Sequence, residues 1–180
     1  LASFDRKPEI SPRKGQLYAV PVKFDDLWKI AAPVGFVEGF DLTAFDRLCQ
    51  KARSAVDAIV EPQPLWEYPC IITGEQVVVA QFDFNSPPSP ATFSTKITPQ
   101  ITGTNGIVFW MDWVHDGYTI TSGLLENCTV GNRPQWSVGH RQGVYFLPEQ
   151  ERSKSRCSSV IVNVNFCSDG QLLFHFQHEN

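Results

Sequence analysis

The chain is poor in charge, with only 19% Asp, Glu, Lys and Arg among 180 residues and a net charge of −4. That excludes a charge-rich disordered tail, a coiled coil and a basic nucleic-acid arm. No apolar run approaches the ~18 residues of a membrane-spanning helix; the stretch Gly106 to Trp113 is broken by Asp112. The five Cys are an odd number and form no CxxC pair, which argues against a disulfide framework. Without a signal-like start they read as reduced thiols of an intracellular protein, cytoplasmic or nuclear. The chain opens on Leu1 without Met, as expected of a piece of a longer protein. No GxGxxG or P-loop pattern occurs, no Gly-x-Ser-x-Gly elbow and no internal repeat.

What is present is aromatic, proline-punctuated and alternating. Aromatics make up 12% of the chain, and there are 13 Pro. Residues 1–15 are polar and broken by Lys7-Pro8 and Ser11-Pro12, and read as a linker or flexible loop. Arg13-Lys14 before Gly15 fits a solvated turn better than a phosphate site. Gln16 to Phe24 alternates as a strand, kinked at Pro21. Beyond Pro64 the chain reads as strands: Leu65–Ile72, Gln76–Phe84, Thr92–Thr98, Ile107–His115, Tyr118–Ser122, Gly143–Leu147, Ser158–Phe166 and Gln171–Gln177. Asp116-Gly117 and Asp169-Gly170 are hairpin signals. Phe109, Met111 and Trp113 share one face of their strand and Val108 and Trp110 the other, so that strand should be covered on both sides. The expected fold is mainly β: a barrel of about eight to ten short strands over residues 16–180.

One helix interrupts this pattern, in an arm at about residues 41–61. Thr43 and Asp46 have the spacing of a capping box. Phe45, Leu48, Cys49, Ala52, Val56, Ile59 and Val60 then form one apolar stripe, opposite Arg47, Gln50, Lys51, Arg53, Ser54 and Asp57. Such an insertion must bury its stripe against something. Phe45, Leu48, Ala52, Val56 and Ile59 are the candidate interface.

Reactive chemistry is hard to find. His175 and His178 lie three apart on a strand, on opposite faces, and cannot readily share a metal. Cys70, between Pro69 and two Ile, suits a buried structural thiol. Glu38 and Asp41 before the helix suit its N-terminus without any ligand. Asn127-Cys128-Thr129 is a sequon without a secretory context. Pro87 and Pro90 fit an inter-strand loop. The Trp residues could stack bases, but the acidic balance removes the phosphate attraction, so core packing is the expected role. No catalytic, cofactor or metal site is assigned.

Several blocks nevertheless resemble, in order, the C-terminal half of the tandem-module (type 7) family of protein arginine methyltransferases. They include Ala19-Val20-Pro21-Val22-Lys23-Phe24, Asp26-Leu27-Trp28, Glu38-Gly39-Phe40-Asp41 and Leu65-Trp66-Glu67-Tyr68-Pro69-Cys70. Further along come Phe82-Asp83-Phe84, Trp110-Met111-Asp112, Ser122-Gly123-Leu124-Leu125-Glu126, Gln142-Gly143-Val144-Tyr145-Phe146 and Phe174-His175-Phe176-Gln177-His178. The match covers about Gln16 to His178. The resemblance implies a β-barrel with a helical arm that packs against the cofactor domain of another module in an intramolecular pseudo-dimer. It implies S-adenosylmethionine as the parent enzyme's cofactor, arginine-containing proteins as its substrates, and a monomethylating reaction. The cofactor motif and the two substrate-binding glutamates of that family lie upstream of this segment. Aligning Arg141-Gln142-Gly143-Val144 with the family's Lys-Gln-x-Val strand puts Val138-Gly139-His140 where an active barrel carries Thr-His-Trp. The resemblance thus implies a degenerate, non-catalytic module, inactive alone, with no cofactor, metal, membrane or direct nucleic-acid partner. Two other readings stand beside it. One is a peptide-binding β-barrel module with exposed aromatic grooves; the other is a small Ser–His–Asp hydrolase.

Overall fold

The structure, a computed structural model, describes residues 9–148 and 158–179 apart from residue 57, and leaves out the side chains of Ser54 and Val56. The first eight residues of the expected linker fall outside it. Within the described residues the fold is mainly β, with twelve strands and one α-helix.

The organising strand is β1 (Lys14–Phe24), which starts two residues earlier than the alternation suggests. From Lys14 to Val22 it pairs with β8 (Gly106–Val114). On its other edge it pairs first with β6 (Val77–Asp83) and then with β5 (Cys70–Ile72). The irregularity that the sequence puts at Pro21 lies instead between Leu17 and Tyr18, in the register with β6. Pro21 stays in the ladder with β8 opposite Ile107 and accepts a hydrogen bond from the Thr73 amide. Beyond β8 come β9 (Thr119–Thr121), β10 (Gln142–Phe146) and the short β4 (Glu61–Gln63), completing a seven-stranded sheet. A second, three-stranded sheet has the order β12 (Leu172–His178), β11 (Val160–Phe166), β7 (Ala91–Ile97).

The alternation dictates two cores, one on each face of the large sheet. Leu17, Ala19, Phe82, Ile107 and Phe109 meet Val160, Val162 and Val164 of the small sheet in the first. Phe174 and Phe176 of β12 add aromatic edges against Phe109. On the other face Val20, Val22, Phe24, Val108 and Trp110 are buried under Leu27, Leu65, Cys70, Leu124 and Trp136. The central strands β1 and β8 are therefore covered on both sides, as the sequence of β8 predicts. Both hairpin signals hold: Gly117 and Gly170 have φ of 85° and 86°, in the region open to glycine, and the strands flanking each are paired antiparallel.

Three short elements escape the sequence pattern. A 3-10 turn, Leu65–Glu67, replaces the start of the strand expected over Leu65–Ile72, because only Cys70–Ile72 reaches β1. Strand β4 carries Pro62 and pairs only with β10, at the sheet edge where a missing N–H is tolerated. A two-residue hairpin, β2 (Phe36–Val37) with β3 (Phe40–Asp41), precedes the helix.

Candidate functional site

The inserted segment after β1 begins with a 3-10 turn over Leu27–Ala31 and passes through the β2–β3 hairpin into α1 (Thr43–Val56). The helix is capped by Asp41, whose Oδ1 accepts from the Thr43 amide at 2.9 Å and from the Thr43 hydroxyl. Asp46 does not turn back to close a capping box with Thr43. Its two carboxylate oxygens accept instead from the Val34 and Gly35 amides, at 2.9 and 2.7 Å. Asp46 is buried, and it fastens the loop before the hairpin to the first turn of the helix. Gln50 donates to the Ala31 carbonyl at 3.1 Å, and Arg53 pairs with Glu61 of β4. The helix stops at Val56, short of the stripe's last residues, Ile59 and Val60. Glu61-Pro62 follows, and the residue before a proline is pushed to extended geometry, so the chain straightens into β4.

The orientation of this helix is the reverse of an ordinary surface helix. Its polar residues Asp46, Gln50 and Arg53 make the contacts inward. Phe45 and Leu48 point out, 58% and 70% exposed, with Ala52 and Ile59 also exposed. The Val56 side chain lies outside the described residues. The hairpin adds Phe36 and Phe40, at 71% and 70% exposure, and Ile30, Val34 and Val37 are exposed beside them in sequence. Four large side chains left this open on one short segment are unusual for a protein surface.

A second locus lies where β10 begins. Gln142 is fully buried. Its Nε2 donates to the carbonyls of Ser122 and His140, both at 2.6 Å, and its Oε1 accepts from the Leu65 amide at 3.3 Å. One side chain thus ties together β10, the turn before it, the segment after β9 and the Leu65 turn. In that turn Gly139 has a φ of 89° and Val138 is exposed. Ser137 Oγ and His140 Nδ1 are 3.2 Å apart, and Ser11 Oγ and His115 Nδ1 are 2.8 Å apart. No carboxylate completes either pair among the described residues, so neither has the geometry of a hydrolytic triad.

Burial pushes the Cys70 thiol up to about 12, which makes it inert at neutral pH. The Trp136 indole N–H is buried with no oxygen or nitrogen acceptor and sits beside that weakly accepting sulfur. Asp112 is also raised, by burial, with hydrogen bonds from Thr121 and Trp110 opposing the shift. His175 is exposed on β12, while His178 Nε2 reaches the Tyr145 hydroxyl at 3.0 Å. The two histidines are held apart, and among the described residues no cluster of three metal-ligating side chains occurs. No helix of the described residues is long and apolar enough to cross a membrane. Arg13, the first residue of the basic pair before Gly15, is engaged by Asp116 at 2.8 Å.

No family model matches the chain. Among individual proteins, it is 39% identical over 173 residues to protein arginine N-methyltransferase 7 of Caenorhabditis briggsae, covering 94% of this chain and 25% of that protein. The enzyme of the same name from Drosophila ananassae is 36% identical over 182 residues, covering 96% and 26%. The Drosophila melanogaster relative is 40% identical over 153 residues, covering 79% and 22%. The chain thus spans about a quarter of the length of the relatives it matches. Among solved structures, PRMT6 in complex with SAH aligns with a TM-score of 0.51 at 10% identity, over 93% of this chain and 55% of that one. The Trypanosoma brucei PRMT1 enzyme–prozyme heterotetramer with AdoHcy aligns with a TM-score of 0.53 at 13% identity, over 93% and 56%. At those identities the structures speak for the fold alone. Sequence similarity along nearly the whole chain, together with that fold, places the chain in the protein arginine N-methyltransferase 7 family, as a segment of it.

Proposed function

We propose that this segment is the non-catalytic C-terminal barrel of an S-adenosylmethionine-dependent, monomethylating protein arginine N-methyltransferase. Its arm docks on the cofactor domain of another module of the parent chain and closes a pseudo-dimer. The carrying observation is the reversed helix: polar residues inward, Phe45 and Leu48 outward, with Phe36 and Phe40 beside them in sequence. Burying each of these four side chains is worth about 1.5–3 kcal/mol. Together that is enough to offset much of the ordering cost when the partner belongs to the same polypeptide.

The proposed absence of chemistry rests on the second locus. Val138-Gly139-His140 stands where the family's active barrels carry Thr-His-Trp, and neither an aliphatic side chain nor a glycine can replace the hydrogen bonds of that histidine. Gln142 holds this turn in place, which supports a retained scaffold that lacks the triplet on that alignment. In the whole enzyme, two carboxylates of another module would orient the guanidino nitrogen for in-line attack on the sulfonium methyl. This segment would contribute packing surface only.

The test has two arms. Calorimetry of the isolated segment with S-adenosylmethionine should give no measurable heat; micromolar affinity would overturn the non-catalytic reading. In the full-length parent, Leu48→Asp should lower methyl transfer to an arginine peptide by roughly tenfold or more, the loss of one buried side chain with a charge in its place. Unchanged activity would remove the docking arm.

A further inference from the structure

Four steps of the chain read Ser-Pro or Thr-Pro: Ser11-Pro12, Ser86-Pro87, Ser89-Pro90 and Thr98-Pro99. The fold occupies two of them. The Ser11 hydroxyl lies 2.8 Å from His115 Nδ1. The Thr98 hydroxyl lies 3.1 Å from that of Ser159, and Pro99 is buried where it bridges Gly74. The other two share the loop between β6 and β7. Asp83 Oδ1 accepts from the Asn85 amide at 2.9 Å and from its side chain at 2.7 Å, which bends the chain as it leaves β6. Ser86 sits on that bend and, with Pro87 and Pro88, lines an apolar cavity of about 370 Å³ against Phe84 and Trp113. Ser89 and Pro90 do not line it. Both are exposed, and Ser89 makes no hydrogen bond among the described residues.

Three prolines set the shape of this segment. Pro87, Pro88 and Pro90 have no amide hydrogen, and each pushes the residue before it out of helical geometry. Pro87-Pro88-Ser89-Pro90 therefore runs extended, and among the described residues it makes no backbone hydrogen bond. An enzyme can take it into an open groove without breaking any part of the sheets. Charge then selects the enzyme class. No Lys or Arg occurs between Arg53 and Lys96, so a kinase that reads basic flanks finds nothing to hold. No Asp or Glu follows Ser89 before Asp112, so one that reads acidic flanks finds nothing either. What flanks the hydroxyl is a proline ring directly after it and another two residues before it. We propose that Ser89 is a phosphorylation site for a proline-directed protein kinase. The γ-phosphoryl group of magnesium-bound ATP passes to Ser89 Oγ: its bond to the β-phosphate oxygen breaks and a P–O bond to Oγ forms. The hydroxyl proton goes to the kinase's catalytic carboxylate, and ADP leaves. The site is separate from the arm, and nothing in the argument uses the methyltransferase reading.

The experiment treats the full-length parent with an active mitogen-activated, proline-directed kinase and magnesium-ATP, and maps phosphate by tandem mass spectrometry. Trypsin releases Ser54 to Lys96 in one piece, because no Lys or Arg interrupts it, and fragmentation of that piece separates Ser86 from Ser89. Ser89 should carry at least about tenfold more phosphate than Ser86, Ser11 or Thr98. Ser89→Ala should remove the phosphate from the loop. Pro90→Ala should lower it by about tenfold, and Ser86→Ala should leave it within about twofold. A kinase that reads basic flanks should leave Ser89 unlabelled. Both Ser89 and Pro90 are exposed, so the variants should keep the wild-type circular dichroism. A free peptide of residues 83–95 serves as the unfolded reference. Labelling of that peptide but not of Ser89 in the protein would overturn the proposal, since the folded loop would then be closed to the enzyme. So would equal labelling of Ser11 or Thr98, undiminished labelling of Pro90→Ala, or equal labelling of Ser89 by the kinase that reads basic flanks. Each of these outcomes leaves the arm reading standing, since no arm residue enters the experiment.

Discussion

The body and the arm use one sequence rule with opposite results. In the body, alternation sends Leu17, Ala19, Val162 and Val164 inward, and the pattern closes on itself between two sheets. In the arm, Phe45, Leu48, Ala52 and Ile59 of an equally regular stripe face solvent, while Asp46, Gln50 and Arg53 hold the helix to its surroundings. Periodicity fixes which residues share a face. It does not say which way that face turns, because the answer depends on what lies opposite. The contrast is what supports the proposal that the arm docks on another module.

Substitutions separate the two regions. The largest expected effect is in the body. Phe24→Ala should cost about 3–5 kcal/mol in urea unfolding, since the ring is fully buried against Phe146. A loss under about 1 kcal/mol would mean that this face of the sheet is not a packed core. Next comes Gln142→Ala, which strands the Leu65 amide and two carbonyls in the interior and should cost about 2–3 kcal/mol. The same change should loosen the Leu65–Glu67 turn, visible as faster exchange of the Leu65 amide.

Asp46→Asn sits between the regions. It replaces one acceptor facing the Val34 and Gly35 amides with a donor, at about 1–2 kcal/mol of local stability. Exchange of those two amides should accelerate while the β1 amides stay protected; global unfolding would mean that the arm and body are one cooperative unit. The alkaline pH response comes from the body. The folded Cys70 thiol keeps its proton up to about pH 12, against an ordinary value of 9.0. The unfolded chain therefore releases that proton first as pH rises. The contribution is complete below pH 9 and is lost progressively between 9 and 12. The alkaline decline should be shallower in Cys70→Ala, and identical slopes would contradict the assigned burial. The smallest effect on stability is in the arm, where Leu48→Asp should change the isolated segment by no more than about 0.5 kcal/mol.

The sequence carried the long elements well, for a physical reason. Strands β1, β6, β11 and β12 are long enough to show period-two burial, β8 is long enough to show a doubly covered apolar run, and the Asp-Gly turns that follow β8 and β11 are chemically specific. The hairpin Phe36–Val37 with Phe40–Asp41 has only two residues a side, too few for any period. Its signal was the left-handed turn at Glu38-Gly39, with φ of 49° and 87°. Asp41 sits at the helix N-terminus as its place in the sequence suggests, but Asp46 was paired with Thr43 in a capping box because spacing alone cannot tell which carboxylate turns back and which reaches across to another loop. The Leu65–Glu67 turn was hidden because Leu65 to Ile72 reads as one strand, whereas only Cys70–Ile72 pairs with β1. The exposed stripe was the most legible functional feature, through the misfit between a strong apolar face and an otherwise complete β fold.

Hydroxyl-radical footprinting of Phe36, Phe40, Phe45 and Leu48, run on this segment and on the full-length parent, tests the docking arm most directly. The account predicts heavy labelling of all four in the segment and strong protection of the same four in the parent. Equal labelling in both would show that the arm's outer face stays bare, and the docking arm would have to be given up.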